Sequence, residues 1–220
     1  MTVTGAESYT VRYTHDLNNR LLTEERTGQL NRTSVYTHDR NGNQLTRTVE
    51  NETVVQTCPI TGGEMSATNW QTETYAYNVF NQLIRVNRPG VAAAYTYRAD
   101  GLRLTKTVNG ATTTHVWLRG SIVLELNATG NVSNRFVRGS TGRLIRSQHH
   151  GWYILNARGD VVQRVSNSGA ITRVYHYSAF GMELTPDQSD TNPFRFASMY
   201  WDPHTQTYMT PHRAAKSAFR

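Results

Sequence analysis

The chain has 220 residues, of which 37% are hydrophobic and 18% charged, and it is rich in Thr (30), Asn (17) and Gly (16). A helical bundle would need more Ala, Leu, Glu and Lys, and a disordered polar chain would lack the 12 Tyr, 6 Phe and 4 Trp found here. Because Thr, Tyr, Val, Phe and Trp favour a pleated surface, the composition predicts an all-β fold.

The formal net charge is +7, and 21 of the 23 basic residues are Arg. These arginines are scattered along the chain, so we interpret them as partners of aromatic rings and carboxylates and expect no nucleic-acid partner. The single cysteine, Cys58, permits no intrachain disulfide. Residues 1–10 lack the pattern of a signal peptide, and no apolar stretch is long enough to span a membrane.

An internal repeat is the strongest signal along the chain. An aromatic residue is followed, in most copies, by a short polar residue three positions later, by Gly or Asn six positions later, and by an aliphatic residue soon afterwards. Copies begin at Tyr13, Tyr36, Tyr75, Tyr95, Tyr153 and Tyr175. Degraded copies near 116–132 and 135–146 extend a period of about 20 residues from about residue 9 to residue 184.

Each position of the repeat has a physical role in a β-hairpin. The tyrosines place large rings on one face of the sheet. The polar residues at the third position start turns by bonding to backbone, and they include Asp16, Asp39, Asn78 and Asn156. The later residues adopt positive φ at low cost, and they are Asn19, Gly42, Asn81, Gly101, Gly159 and Gly181. Hairpins are marginal alone, so we expect them to pack edge to edge in one array.

Two local features refine this picture. Asn41-Gly42 and Asn109-Gly110 predict two-residue hairpin turns. Residues 57–70 break the repeat with Pro59, Gly62 and Gly63, and we interpret them as an inserted surface loop. The predicted organisation is therefore a repeat array over 1–184 with an irregular insertion at about 57–70, followed by a distinct region over 185–220.

The template resembles the YD repeats of the RHS family. Residues 175–208 also resemble the start of the RHS-repeat-associated core region, through Asn192 to Phe196 and Tyr200 to Thr205. The resemblance implies a curved, spiralling sheet that closes as a hollow shell around a C-terminal toxin or effector. It also implies two partners, which are the remaining repeats of the shell and its C-terminal cargo. The location it implies is that of a secreted or cell-surface bacterial protein.

In some RHS proteins, the core region cuts its own chain with carboxylates and an arginine. Arg195 and Asp202 match the upstream part of that region, but no Asp or Glu follows Asp202. Because such chemistry needs paired carboxylates, we expect structural pairing of Arg195 and no catalytic residue. His149 and His150 have no carboxylate or Cys at ligand spacing, so we expect no metal and no cofactor.

We therefore expect that the chain is not an enzyme but a non-catalytic scaffold. About nine cycles would form only part of a shell, so we interpret the chain as a truncated C-terminal fragment of one. The alternative is a cell-surface or carbohydrate-binding module, in which aromatic-rich hairpins stack on sugar rings. A nucleic-acid binder would need strongly salt-dependent affinity. A toxin enzyme would need a catalytic domain, and about 12 residues follow Tyr208.

Overall fold

The predicted all-β fold is confirmed by the structure, a computed structural model that describes residues 2–3, 9–28, 31–57, 64–178, 181–187, 189–209 and 214–216. These residues form antiparallel strands and contain no α-helix. The chain divides into two compact units, Met1–Ala92 and Ala93–Arg220. Cys58 lies outside the described residues.

Unit 1 is a succession of antiparallel neighbours in chain order. Its strands are β1 (Thr2–Val3), β2 (Tyr9–His15), β3 (Leu21–Gly28), β4 (Arg32–His38), β5 (Gln44–Thr57), β6 (Glu64–Tyr77) and β7 (Leu83–Arg88). The alternating exposure of successive residues, as in β4, is typical of a sheet with one buried face.

Unit 2 continues the same chain order in a second run of strands. The boundary between the units falls within β8 (Val91–Tyr97). The strands that follow are β9 (Arg103–Val108), β10 (Ala111–Leu118), β11 (Ser121–Leu126), β12 (Val132–Arg138), β13 (Leu144–Ser147), β14 (Gly151–Leu155), β15 (Val161–Val165) and β16 (Ile171–Val174). A three-stranded sheet follows, with β17 (Tyr200–Asp202), β18 (Thr207–Met209) and β19 (Ala214–Lys216). A short 3₁₀ turn at Phe196–Ser198 precedes it.

Most hairpins close with one recurring turn. In nine turns of the described chain, the amide of the first residue donates to the carbonyl of the fifth, and the amide of the fourth donates back to the carbonyl of the first. The fourth residue has positive φ in each turn, as Asn19 (59°) and Gly42 (84°) show. This is a type I turn followed by a residue in the left-handed region, which produces a bulge in the pairing.

The two predicted two-residue turns have different outcomes. Asn109 and Gly110 both have positive φ, and the flanking residues Val108 and Ala111 pair directly, as predicted. Asn41-Gly42 instead lies within the recurring five-residue turn, where only Gly42 has positive φ. The prediction fails there because the Asp39 carboxylate accepts the Asn43 amide at 2.8 Å and selects the longer turn.

The long spacing between Tyr36 and Tyr75 comes from long strands rather than from a missing repeat. The 14-residue strands β5 and β6 form one extended hairpin, with Thr57 opposite Glu64. Strand structure therefore reaches further into 57–70 than the predicted insertion allows, and residues 58–63, with Pro59, Gly62 and Gly63, lie outside the described residues.

The tyrosines that define the repeat lie near the end of the strand that precedes each turn. In β2, β4, β6 and β8 the tyrosine is two residues before the last residue of the strand. Most of them point to the buried face: Tyr36, Tyr75, Tyr95, Tyr153 and Tyr175 are between 2% and 7% exposed. Tyr13 is half-buried. In unit 2 this buried face, here called the core face, also holds Ile122, Phe136, Leu144 and Val161.

Candidate functional site

The segment 192–208 packs on the core face of unit 2 and brings the candidate residues there. Phe194 lies edge-on to Phe136, with ring centroids 4.8 Å apart, and Tyr200 joins the same hydrophobic cluster. Asn192, on the same segment, accepts a hydrogen bond from Tyr153 Oη at 2.8 Å. Burial of these groups carries Arg195 and Asp202, both predicted from the sequence, into the interior at 6% and 1% exposure.

Asp202 is the centre of one buried cluster, here called the Asp202 cluster. Its Oδ2 accepts hydrogen bonds from Tyr95 Oη at 3.1 Å and Arg103 Nη1 at 3.3 Å. Lys106 Nζ lies 3.6 Å from Oδ1, which also accepts the backbone amide of His204 at 3.1 Å. Two cations of β9 and one tyrosine of β8 therefore hold the carboxylate of β17.

The two cations of this cluster stabilise its single carboxylate. Burial by itself would raise the pKa of Asp202, but the cations of Lys106 and Arg103 outweigh it and hold that pKa below its usual value. Burial lowers the pKa of Lys106, and Asp202 opposes this effect. At neutral pH, Asp202 is therefore an anion surrounded by cations, and its contacts are those of a structural ion pair.

His115 and Tyr200 form the wall of this cluster. The His115 ring lies edge-on to Tyr200 with centroids 5.1 Å apart, and Tyr200 Oη donates to Glu125 at 2.6 Å. Burial, followed by the charges of Arg103 and Lys106, holds the pKa of His115 well below its usual value. His115 is therefore neutral at physiological pH and adds no third positive charge beside Arg103.

Arg195 belongs to a second set of buried ion pairs, here called the Arg195 cluster. Arg195 Nη1 lies 2.6 Å from Glu183 Oε2, and Arg195 Nη2 lies 3.7 Å from Asp190 Oδ2. Arg173 contacts Glu183 at 2.8 Å, and Arg164 contacts Asp190 at 2.9 Å. Each carboxylate thus bridges an arginine of the sheet to Arg195, which ties the segment after residue 181 to β15 and β16.

The repeat-defining polar residues lie in the turns, away from both clusters. Asp16 Oδ1 accepts the amides of Asn18 and Arg20, each at 2.9 Å. Asp39, Asn78 and Asn156 accept backbone amides in the same way. The structure therefore places these residues as turn formers, whereas it gathers Tyr95, Tyr153 and Tyr175 near the buried polar groups.

The sequence did not identify the cations that face Asp202. Arg103 and Lys106 are 99 and 96 residues away from Asp202, so no local spacing links them to it. The one compositional signal is Lys106 itself, since it is one of two lysines in a chain with 21 arginines. In the part of the chain that the structure describes, no group of three His, Cys, Asp or Glu residues is arranged to hold a metal.

The predicted pair of histidines is engaged in hydrogen bonds. His149 Nε2 lies 2.7 Å from the carbonyl oxygen of Ser133, and His150 Nδ1 lies 3.1 Å from Arg164 Nη1. Burial, followed by the charge of Arg164, lowers the pKa of His150 to about 4.

Among the described residues, no helix is long and apolar enough to cross a bilayer.

Comparison with known proteins identifies similar nucleases. The chain is 30% identical to the tRNA3(Ser)-specific nuclease WapA of Bacillus spizizenii, and 28% identical to the tRNA nuclease WapA of Bacillus subtilis strain 168. Each match extends over 146 residues, which is 61% of this chain but 6% of the relative. The chain thus spans a small part of the length of these relatives. No family model matches the chain.

Solved structures with a similar arrangement include the TcdB2-TccC3-Cdc42 and TcdB2-TccC3 crystal structures. Both have a TM-score of 0.46 and 12% sequence identity to this chain, and both matches cover 96% of it. The matches cover 15% and 16% of the respective chains.

The comparisons confirm the predicted resemblance to the RHS/YD-repeat family. The prediction that the chain is not an enzyme is wrong, because these relatives are named as tRNA nucleases and so point to enzymatic activity. The prediction depended on the missing carboxylate after Asp202 and on the small number of residues after Tyr208. Both observations concern this chain, whereas the relatives are named for the activity of much longer proteins. Glycan binding stays a prediction.

Proposed function

We propose that this chain, which is an RHS/YD-repeat protein, forms part of the wall of a hollow shell in a secreted toxin. The observation that carries the proposal is the burial of Arg195 and Asp202 against the repeat strands. Asp202 is held by Arg103 of the distant strand β9. Arg195 is joined to the arginines of β15 and β16 through Asp190 and Glu183, so the segment 192–208 and the strands beneath it form one packed body.

Buried ion pairs suit such a structural role because they specify one arrangement. Removing one partner of a buried pair leaves an uncompensated charge, so alternative positions of the segment are strongly disfavoured. The Asp202 cluster fixes β17 over β8 and β9, and the Arg195 cluster fixes the preceding residues over β15 and β16. In a shell wall that encloses cargo, the segment 192–208 must stay in one position on the core face, and these ion pairs hold it there.

The activity of the whole protein is a further part of this proposal. The relatives are named as tRNA nucleases, so we infer that the protein containing this array cleaves tRNA. In this proposal the remaining repeats of the shell and the nuclease cargo are its partners. The resemblance to the RHS family supports secretion or display at the cell surface as its location.

Two measurements test the two parts separately. Hydrogen exchange should show strong protection of 192–208 in the wild-type chain and selective loss of that protection in Arg195→Met. Arg98→Met is the matched control, because Arg98 pairs with Asp100 at the surface. Equal protection of 192–208 in both variants would refute the structural role. Incubation of the purified full-length protein with tRNA tests the activity, and intact tRNA at the end would refute it.

A further inference from the structure

The face of unit 2 opposite the core face, here called the open face, changes character along the sheet. Across β12 to β16, pairing places Val137, Arg146, Trp152, Val165 and Ile171 in one row over five strands. A second row contains Ile154, Gln163 and Val174. These two rows, together with Ile145 and Arg135, are here called the open patch.

The apolar side chains of the open patch are exposed to solvent. Trp152 is 43% exposed, Ile154 46% and Ile171 59%, and Val137, Ile145 and Val174 are exposed as well. These six neighbouring side chains together present apolar area on the order of 500 Å², a size that marks interaction surfaces on soluble proteins. Isolated exposed apolar residues need no explanation, but a contiguous patch across five strands does.

The same face is built differently a few strands earlier. On β8 to β10 the open face contains several threonines whose hydroxyls pair across strands, as in Thr96 with Thr105 at 2.6 Å and Thr107 with Thr112 at 2.8 Å. The large apolar side chains exposed on these strands are Leu104 and Leu118. Threonine satisfies β-propensity without exposing a large apolar surface. Because one unit contains both solutions, the sheet itself does not require the exposed Val, Ile and Trp of the open patch.

The charge of the open patch has a single sign. The strands β12 to β16 contain no Asp or Glu. Arg135 and Arg146 lie diagonally across the β12–β13 pair, and neither has a carboxylate partner among the described residues. With Gln148 they line a shallow pocket of about 230 Å³. The Arg146 guanidinium lies over the Trp152 ring, 5.5 Å from its centroid.

We propose that the open patch docks on the surface of an anionic phospholipid bilayer. Tryptophan and arginine both favour the headgroup region, where the indole and the long arginine side chain are partly wet and partly apolar. Val and Ile at the centre of the patch then enter the acyl boundary, as on the apolar face of an interfacial helix. Arg135 and Arg146 supply attraction to anionic headgroups.

Other ligands fit this surface less well. A single-stranded nucleic acid would use the arginines and Trp152, but it would leave Ile154, Ile171 and Val174 without a partner. A sugar would need amide and carboxylate groups beside the indole, and no carboxylate is present in these strands. The combination of aliphatic area with unpaired arginine selects a surface that is both anionic and apolar. This inference does not depend on the proposed shell function.

Vesicle co-sedimentation of the full chain tests the proposal. Vesicles of phosphatidylcholine with 40% phosphatidylglycerol should bind the chain, and pure phosphatidylcholine vesicles should bind it at least tenfold more weakly. Arg135→Gln/Arg146→Gln should reduce binding to the anionic vesicles by at least tenfold, and Trp152→Thr/Ile154→Thr should do the same. Leu104→Thr is the matched control, since Leu104 is 38% exposed among the threonines of β9 and should leave binding unchanged.

Circular dichroism melting of every variant separates loss of binding from loss of fold. If one double variant unfolds, the other provides the result. The proposal is overturned if the wild-type chain binds neither vesicle, if it binds both equally, or if a folded double variant binds as well as wild type. Tight binding of an oligouridylate probe without vesicle binding would assign the patch to nucleic acid instead.

Discussion

Units 1 and 2 use the same hairpin and the same recurring turn, but they treat their charges differently. In unit 1, the charged groups keep more contact with solvent. Arg20 pairs with Asp16 at 2.6 Å and donates to the Asp39 carbonyl at 2.7 Å, and the Arg47 and Glu73 side chains, 3.7 Å apart, are 17% and 14% exposed. In unit 2, the segment 192–208 covers the core face, and Asp202 and Arg195 are buried. The repeat thus determines the hairpin, while the covering segment determines how strongly each charge is coupled to the fold.

The largest expected effect comes from Asp202→Asn. The change leaves Arg103 and Lys106 buried without their counter-charge, so the free energy of unfolding of unit 2 should fall by about 3–5 kcal/mol. Hydrogen exchange at increasing urea concentration measures each unit separately. Asp16→Asn is the control: its carboxylate is at the surface of unit 1, and stability there should stay close to wild type. Similar losses in both units would contradict the contrast between them.

A backbone substitution should produce the next largest difference. Gly151 has a φ of +73°, and a Cβ there would overlap the carbonyl oxygen of Val165 on the neighbouring strand. Gly151→Ala should therefore destabilise unit 2 by about 2–4 kcal/mol. Gly42→Ala in unit 1 has a similar φ of +84°, but its nearest atom is Arg20 Cδ at 4.0 Å. We expect a loss of about 1 kcal/mol there, measured by urea unfolding. Equal losses would show that the close approach of Val165 is unimportant.

Acid should weaken unit 2 before it weakens unit 1. The pKa of His115 is well below its usual value of 6.5, so the unfolded chain binds the proton first as the pH falls below 6.5. Between that pH and the folded pKa, stability should fall by up to about 1.4 kcal/mol per pH unit for this histidine. His150, with its pKa of about 4, acts in the same direction.

In unit 1, the turn hydrogen bonds lower the pKa values of Asp16 and Asp39, starting from a usual value of 3.8. The stabilisation from these two carboxylates is present above pH 3.8 and is lost as the pH falls below it. The free energy of unfolding of unit 1 should therefore stay unchanged at pH 5. Urea midpoints between pH 7 and 5 measure the slope. His115→Phe should reduce the slope of unit 2 but leave the part due to His150. An unchanged slope in this variant would remove His115 as the cause.

The smallest effect is expected on the threonine-rich face. Thr37 and Thr46 share a hydrogen bond of 2.7 Å on the exposed face of β4 and β5. In Thr37→Val, water satisfies the remaining hydroxyl and the new side chain keeps its β-propensity, so stability should change by less than about 0.5 kcal/mol. Equilibrium urea unfolding measures this change. A loss as large as that for Asp202→Asn would mean that the surface hydroxyl pairs determine the stability of the sheet.

The sequence predicted local geometry well and long-range contacts poorly. The positive φ values of Asn19 and Gly42 follow from a turn whose hydrogen bonds lie within five residues, so these values could be predicted from the spacing of the repeat. The prediction of a two-residue turn at Asn41-Gly42 is wrong because Asp39, two residues before Asn41, accepts the backbone amide of Asn43. The long spacing between Tyr36 and Tyr75 does not follow from a period of about 20 residues, since the length of β5 and β6 leaves no local mark that the period reveals.

The sequence alone determined the repeat, the all-β class and the turns, because each depends on hydrogen bonds between residues close together in the chain. It also placed Arg195 and Asp202 in a distinct segment. Only the tertiary structure decided what these two residues do. Asp202 becomes a stable anion because β9 brings Arg103 and Lys106 to it from 99 and 96 residues away, in an interior where water cannot screen the charges. Spacing along the chain contains no information about that contact, since it arises only when the covering segment packs on the core face.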